Sequence, residues 1–185
     1  MHIFTKMLKP IKEIIKIPEG VNVEISPGEI KISQNGKETI KKFPVKIEKK
    51  ENELILEEKK PNKKDKKLIK TAVSHIKNMI NGMEKSYVYK LQICSAHFPM
   101  NVSVKGNELI IKNFLGEKVD RKAKLIEGVS VKVEKDIVVI ESHDKEKAGQ
   151  TAANIEKTTR VKNKDRRIFQ DGIILIEREK GAKRW

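Results

Sequence analysis

From Val21 to Ile25 apolar and polar residues alternate, Ser26-Pro27-Gly28 breaks the run, and alternation resumes over Glu29-Ile30-Lys31-Ile32. A period of two on both sides of a turn predicts an antiparallel hairpin with one buried face. The figure recurs at Met100 to Val104, the turn Lys105-Gly106-Asn107, and Glu108 to Lys112. Between Leu68 and Ile80 the period changes, with apolar residues at 68, 69, 72, 73, 76, 79 and 80. That spacing is one stripe of a helix, for which Asn62 and Asp65 form a capping pair and Gly82 suits the C-terminal stop. A second helix, from about Asp144 to Thr159, has a thinner stripe of Ala148, Ala152 and Ile155.

The recurrence is general. Sliding the chain on itself by 79 residues brings Ile14 onto Ile93, Asn22 onto Asn101, Val23 onto Val102, Glu29 onto Glu108, Asp65 onto Asp144 and Ile76 onto Ile155. The middle drifts by a few positions, where Val45-Lys46-Ile47-Glu48 resembles Val131-Lys132-Val133-Glu134 and Glu53-Leu54-Ile55-Leu56 resembles Asp136-Ile137-Val138-Val139. Internal repetition of this length predicts two tandem α+β domains, each a small, mainly antiparallel sheet packed with one helix. Their expected spans are 1–82 and 83–185, the second including a basic C-terminal tail. The short connection around Gly82 to Lys85 predicts a rigid or semi-rigid join.

Composition then narrows the function. The chain of 185 residues carries 41 Lys and Arg against 26 Asp and Glu, a net charge of +15, which favours a polyanionic partner, nucleic acid first. Seven lysines lie between Lys59 and Lys70, and ten basic residues between Lys157 and Trp185. All six arginines, Arg121, Arg160, Arg166, Arg167, Arg178 and Arg184, lie in the second half. Because a guanidinium grips phosphate with a planar fork, specific docking is expected at that end, and the lysines elsewhere serve attraction and solubility. Aromatics make up only 4% of the chain, and Phe43, Phe98, Phe114 and Phe169 are expected to build cores, so phosphate and shape readout is favoured over base stacking.

Other chemistry finds little support. No apolar run approaches the roughly 20 residues of a membrane helix, and the N-terminal stretch lacks the apolar region of a secretory signal. Cys94 is the only cysteine, which excludes an intrachain disulfide and suits a reducing, cytoplasmic setting. Cys94 and His97 alone cannot complete a zinc site, so neither metal nor cofactor is expected. Phosphate-binding loops, nucleophile elbows, Gly-x-x-Gly and the aromatic signature of single-strand RNA readers are all missing from the sequence. Three function classes remain, an RNA-binding structural protein first, a protein-interaction adaptor using exposed sheet edges second, and an enzyme, which no clustered acid/base site supports, last.

Specific strings sharpen the choice. Ile17-Pro18-Glu19-Gly20-Val21, Ala96-His97-Phe98-Pro99-Met100-Asn101-Val102, Asn113-Phe114-Leu115-Gly116-Glu117-Lys118, Thr158 to Arg167, and Phe169-Gln170-Asp171-Gly172-Ile173 occur in order. Together they resemble the archaeal and eukaryotic branch of the ribosomal protein L6 family, over about Lys16 to Glu177. The resemblance implies a non-enzymatic protein of the large ribosomal subunit, with a duplicated α+β fold, acting in translation in the cytoplasm. It implies binding to large-subunit rRNA near the sarcin–ricin stem, chiefly through the second domain. Neighbouring ribosomal proteins would be partners and translational GTPases would dock nearby, with no membrane and no small-molecule substrate. Carried onto this chain, it points to Lys157, Arg160, Lys162, Lys164, Arg166 and Arg167, with Gln150 and Asn154 adding polar contacts one and two helical turns earlier. In the tail, Lys183 and Arg184 are added as basic RNA contacts, while Trp185 could equally stack on RNA, pack on a neighbouring protein or stand exposed. The Gly116-Glu117-Lys118 segment is read as a structural turn before a phosphate contact through Lys118.

Overall fold

The computed structural model describes residues 10–58, 61–165 and 167–179. The chain divides into two compact units, Met1–Glu84 and Lys85–Trp185. The first runs β1 (Ile11–Lys16), β2 (Asn22–Ser26), β3 (Glu29–Gln34), β4 (Lys37–Lys42), β5 (Ile47–Lys50), β6 (Glu53–Glu58) and α1 (Lys63–Glu84). Its strands form two antiparallel sheets, ordered β1-β6-β5 and β2-β3-β4. Alternation aims Ile30 and Ile32 of β3 and Leu54 and Leu56 of β6 inward, where they meet Ile69, Ala72, Ile76 and Ile80 of α1 in one buried core.

The second unit repeats the order with β7 (Tyr87–Cys94), β8 (Asn101–Lys105), β9 (Glu108–Lys112), β10 (Arg121–Lys124), β11 (Ser130–Glu134), β12 (Ile137–Ser142) and α2 (Lys145–Thr158), then adds β13 (Gly172–Glu179). Its sheets are β10-β9-β8 and β11-β12-β7-β13, so the added strand pairs antiparallel with β7. Leu91, Leu109, Ile111, Phe114, Val138 and Ile140 pack beneath Ala148, Ala152 and Ile155 of α2. The small side chains on that helix let it lie close to the sheet; an added Cβ on Gly149 would meet the Tyr89 hydroxyl at 3.5 Å.

Several expectations need correction. Helix α1 passes through Gly82, which is buried in its last turn, because Met79, Ile80 and Met83 continue the packed stripe across it. Leu68, expected in that stripe, is 42% exposed. The reciprocal cap is as expected: Asn62 Oδ1 accepts from the amides of Lys64 and Asp65 at 2.7 and 2.9 Å, and Asp65 Oδ2 accepts from Asn62 N–H at 2.9 Å. The residue in the same capping place on α2 is Asp144, so Asp144 is the structural counterpart of Asn62 and not of Asp65. The slip arises because the two-residue turn Asn35-Gly36 of the first unit is replaced by the longer link 113–120 in the second. Phe43 and Phe114 are core residues, but Phe98 is 45% exposed and Phe169 is only partly covered.

Candidate nucleic-acid interface

The basic cluster from Lys157 to Arg167 is carried by the end of α2 and by the loop that returns to β13. The helix starts on the Asp144 carboxylate, whose Oδ1 accepts from Glu146 N–H at 2.8 Å and Lys147 N–H at 3.5 Å. At its other end Thr158 Oγ1 donates to the Asn154 carbonyl at 2.8 Å, and Thr159 Oγ1 donates to the Glu156 carbonyl at 3.2 Å. The same Thr159 hydroxyl accepts from Ile173 N–H at 2.9 Å. One buried side chain therefore closes the neck of the loop, tying its departure to its return.

Arg121 of β10 fixes the departure. Its Nε and Nη2 donate to the two Glu117 oxygens at 2.8 and 2.6 Å, while Nη1 donates to the carbonyls of Thr158 at 2.8 Å and Arg160 at 3.3 Å. The guanidinium also lies 4.1 Å above the Phe114 ring. A planar fork with five donors can make all these contacts at once, satisfying carbonyls that the helix end leaves without partners. The bond from Arg121 holds the Glu117 carboxyl below its ordinary range. Glu117 belongs to a tight turn in which Asn113, Leu115 and Gly116 all have positive φ, and Gly116 lies under Phe98, whose ring would be 3.5 Å from any Cβ there. The segment is thus a structural turn, with Lys118 exposed beside it.

The return of the loop is fixed by Asp171. Its side chain is 1% exposed. Oδ1 accepts from the amides of Ala96 and His97 at 2.7 and 3.0 Å, and Oδ2 lies 2.6 Å from His97 Nδ1, which donates because an ionised carboxylate can only accept. Burial alone would push this carboxyl up, but the bonds from His97 and Ala96 outweigh it and hold the group below its ordinary range. His97 stacks on Phe169 at 4.7 Å, and Lys164 Nζ sits 4.5 Å from the same ring.

Between these anchors the cations are arranged unequally. Lys157, Arg160 and Lys162 are exposed and make no ion pair among the described residues. Lys164 is engaged with Phe169, and Arg167 is held by Asp165, with Nη2 to Oδ2 at 2.7 Å and Nε to Oδ1 at 3.1 Å. That pair lowers the Asp165 carboxyl and raises the Arg167 guanidinium from their ordinary values. Gln150 and Asn154 turn towards each other, Nε2 to Oδ1 at 2.9 Å, and Asn154 Nδ2 reaches the Lys124 carbonyl at 3.4 Å, tying α2 to β10. Arg166, Lys183, Arg184 and Trp185 lie outside the described residues. Beside the free cations runs an open groove of about 620 Å³, lined by Cys94, Lys157, Arg160, Phe169 and Gln170 among others. Among the described residues no His, Cys, Asp and Glu side chains converge as a metal site.

Sequence reasoning named the cations but missed the anchors Arg121, Glu117, Thr159 and Asp171. Arg121 was the one arginine remote from the basic C-terminal third, and Glu117 stands four residues before it, the only local hint of the pair.

Comparison with known proteins bears on the same region. The family model for ribosomal protein L6 matches residues 98–172, the stretch from the exposed Phe98 to the start of β13. A large ribosomal subunit protein uL6 from Methanococcus vannielii is 45% identical over 172 residues, covering 91% of this chain and 94% of its own. The protein of that name from Methanobrevibacter smithii is 44% identical, covering 91% and 97%, and that from Methanosarcina mazei is 42% identical, covering 93% and 99%. With identity at that level along nearly the whole of both chains, the chain belongs to the ribosomal protein L6 family.

Proposed function

We propose that this structural, non-enzymatic ribosomal protein of the large subunit holds folded rRNA near the sarcin–ricin stem, through the helix end and loop of its second unit. The observation that carries the reading is the contrast between fixed backbone and free charge. Thr159, Arg121 and Asp171 pin both ends of the loop, while Lys157, Arg160 and Lys162 project from it without acid partners among the described residues. Fixed cations release counterions from phosphates without first paying to order the loop, which suits a positioning contact. Spacing the phosphates of an RNA stem in this way would support the docking of translational GTPases indirectly. Neighbouring ribosomal proteins would cover other parts of the surface.

The partly exposed ring of Phe169, which lines the groove beside Arg160, favours one addition, the packing of an unpaired base or a ribose there. The test is binding of the full chain to a large-subunit rRNA fragment containing the sarcin–ricin stem, titrated with salt and compared with an unrelated duplex. Preferential binding with a steep salt slope supports the proposal. Equal, weak binding to both RNAs overturns it.

A further inference from the structure

Helix α1 departs much further than α2 from the charge pattern that a helix dipole favours. In α2 the Asp144 cap and Glu146 offset Lys145 and Lys147 at the N-terminus, and Lys157 stands in the last turn where the helix dipole favours a cation. In α1 the first two turns carry Lys63, Lys64, Lys66, Lys67 and Lys70, the only acid there is Asp65, and no basic residue occupies the last turn. Asp65 is itself committed to the cap through Asn62 N–H. The lysines stand three or four residues apart in the pairs 63–66, 64–67, 67–70, 63–67 and 66–70, and each such pair repels on a helix surface. All five are exposed and none has an ion pair among the described residues.

Placement on the wheel makes this a line and not a scatter. The buried side is Ile69, Ala72, Ile76, Met79, Ile80 and Met83. Opposite it, Lys63, Lys67, Lys70 and Ser74 follow one another at helical spacing, a stripe roughly 16 Å long at about 1.5 Å per residue. Thr71 and Ser74 add hydroxyls, and the stripe holds neither an aromatic residue nor an acid. A row of cations over hydroxyls, without an apolar anchor, fits a phosphate backbone better than a protein partner, whose interface would need buried apolar contacts.

We infer that the exposed face of α1 is a second rRNA-docking surface, formed by Lys63, Lys66, Lys67 and Lys70 of the first unit. Phosphates seated there neutralise the repulsion among the lysines and complement the positive end of the helix, so a helix unfavourably charged in isolation becomes favourably charged on the ribosome.

The test uses the full chain and an in vitro transcript of large-subunit rRNA. Three variants are compared with the parent: K63Q/K67Q/K70Q on α1, K12Q/K46Q/K50Q on exposed lysines elsewhere in the first unit, and K157Q/R160Q/K162Q on the loop of the second unit. The α1 variant is expected to bind more weakly, with its log–log salt slope reduced by about two to three, and to melt at the same or a higher temperature than the parent. The scattered-lysine variant is expected to change far less. If the α1 variant keeps the parental affinity and slope while the loop variant loses them, this inference fails and the reading of the second unit stands, leaving an acidic protein as the occupant of α1. If both lysine variants of the first unit lose equally, the effect is general charge and the inference also fails. If the parent itself does not bind the transcript, the RNA reading of both surfaces falls.

Discussion

Asp171 and His97, 74 residues apart in sequence, meet at 2.6 Å at the base of the basic loop, and the same carboxylate caps the His97 and Ala96 amides. The contact joins the end of β7 to the start of β13 and gives His97 the orientation in which it stacks on Phe169.

Replacing Asp171 by Asn keeps the shape and removes the charge, and should cost about 2 kcal/mol of stability at neutral pH. The sign of the pH dependence follows from the lowered folded carboxyl. Its contribution is whole above the ordinary aspartate range and is lost as pH falls through the folded value. Thermal melts of parent and D171N should therefore differ by a constant amount near neutrality and converge below about pH 4. A gap that widens in acid would contradict this.

Arg121→Lys tests the fork. Lysine keeps the charge but cannot meet the Glu117 carboxylate and two carbonyls together, so a loss of about 1 to 2 kcal/mol is expected in urea unfolding, discounted for the partial exposure of the site. RNA binding should weaken as well, because the start of the loop is released. Unchanged stability would show that the fork is incidental.

Asp165→Asn is expected to strengthen RNA binding. Asn retains an oxygen for the Arg167 amide, so the turn persists, while the ion pair that occupies the exposed Arg167 guanidinium is removed. Tighter binding and a slope steeper by about one in a salt titration would follow. Weaker binding of this variant would mean that the pair itself shapes the contact.

Loss of the α1 cap by Asn62→Ala should cost about 1 kcal/mol, since two amides at 2.7 and 2.9 Å lose their acceptor. The measurement is the urea midpoint of the first transition of the full chain, and no change would show that the lysine-rich first turn is already frayed.

Much of the scaffold was legible because it rests on local periodicity. The hairpins around Pro27-Gly28 and Gly106, the cap at Asn62 and the stripe of α2 are patterns within a few residues of one another. Each unit's division into two small sheets was not legible, since strand partners are chosen by tertiary packing. The anchors of the interface were hidden for the same reason. Arg121 binds carbonyls 37 and 39 residues away, and backbone acceptors leave no trace in a sequence. Phe98 and Phe169 were assigned to cores from their flanks, whereas Phe98 lies over Gly116 on a loop and Phe169 between His97 and Lys164. What the charge pattern did make legible was the clustering of cations after Lys157, because such clustering is itself local.

The most direct test of the central claim is photocrosslinking within assembled large subunits, with a photoreactive residue placed at Lys162 on the loop or at Glu146 in the first turn of α2. Glu146 stands at the start of α2 and Lys162 beyond its other end, with the 14-residue helix spanning roughly 20 Å. Crosslinks from position 162 to rRNA, with few from position 146, are expected. Crosslinks from 162 to protein alone, or equal yields to rRNA from both positions, would contradict the assignment of the loop as the docking surface.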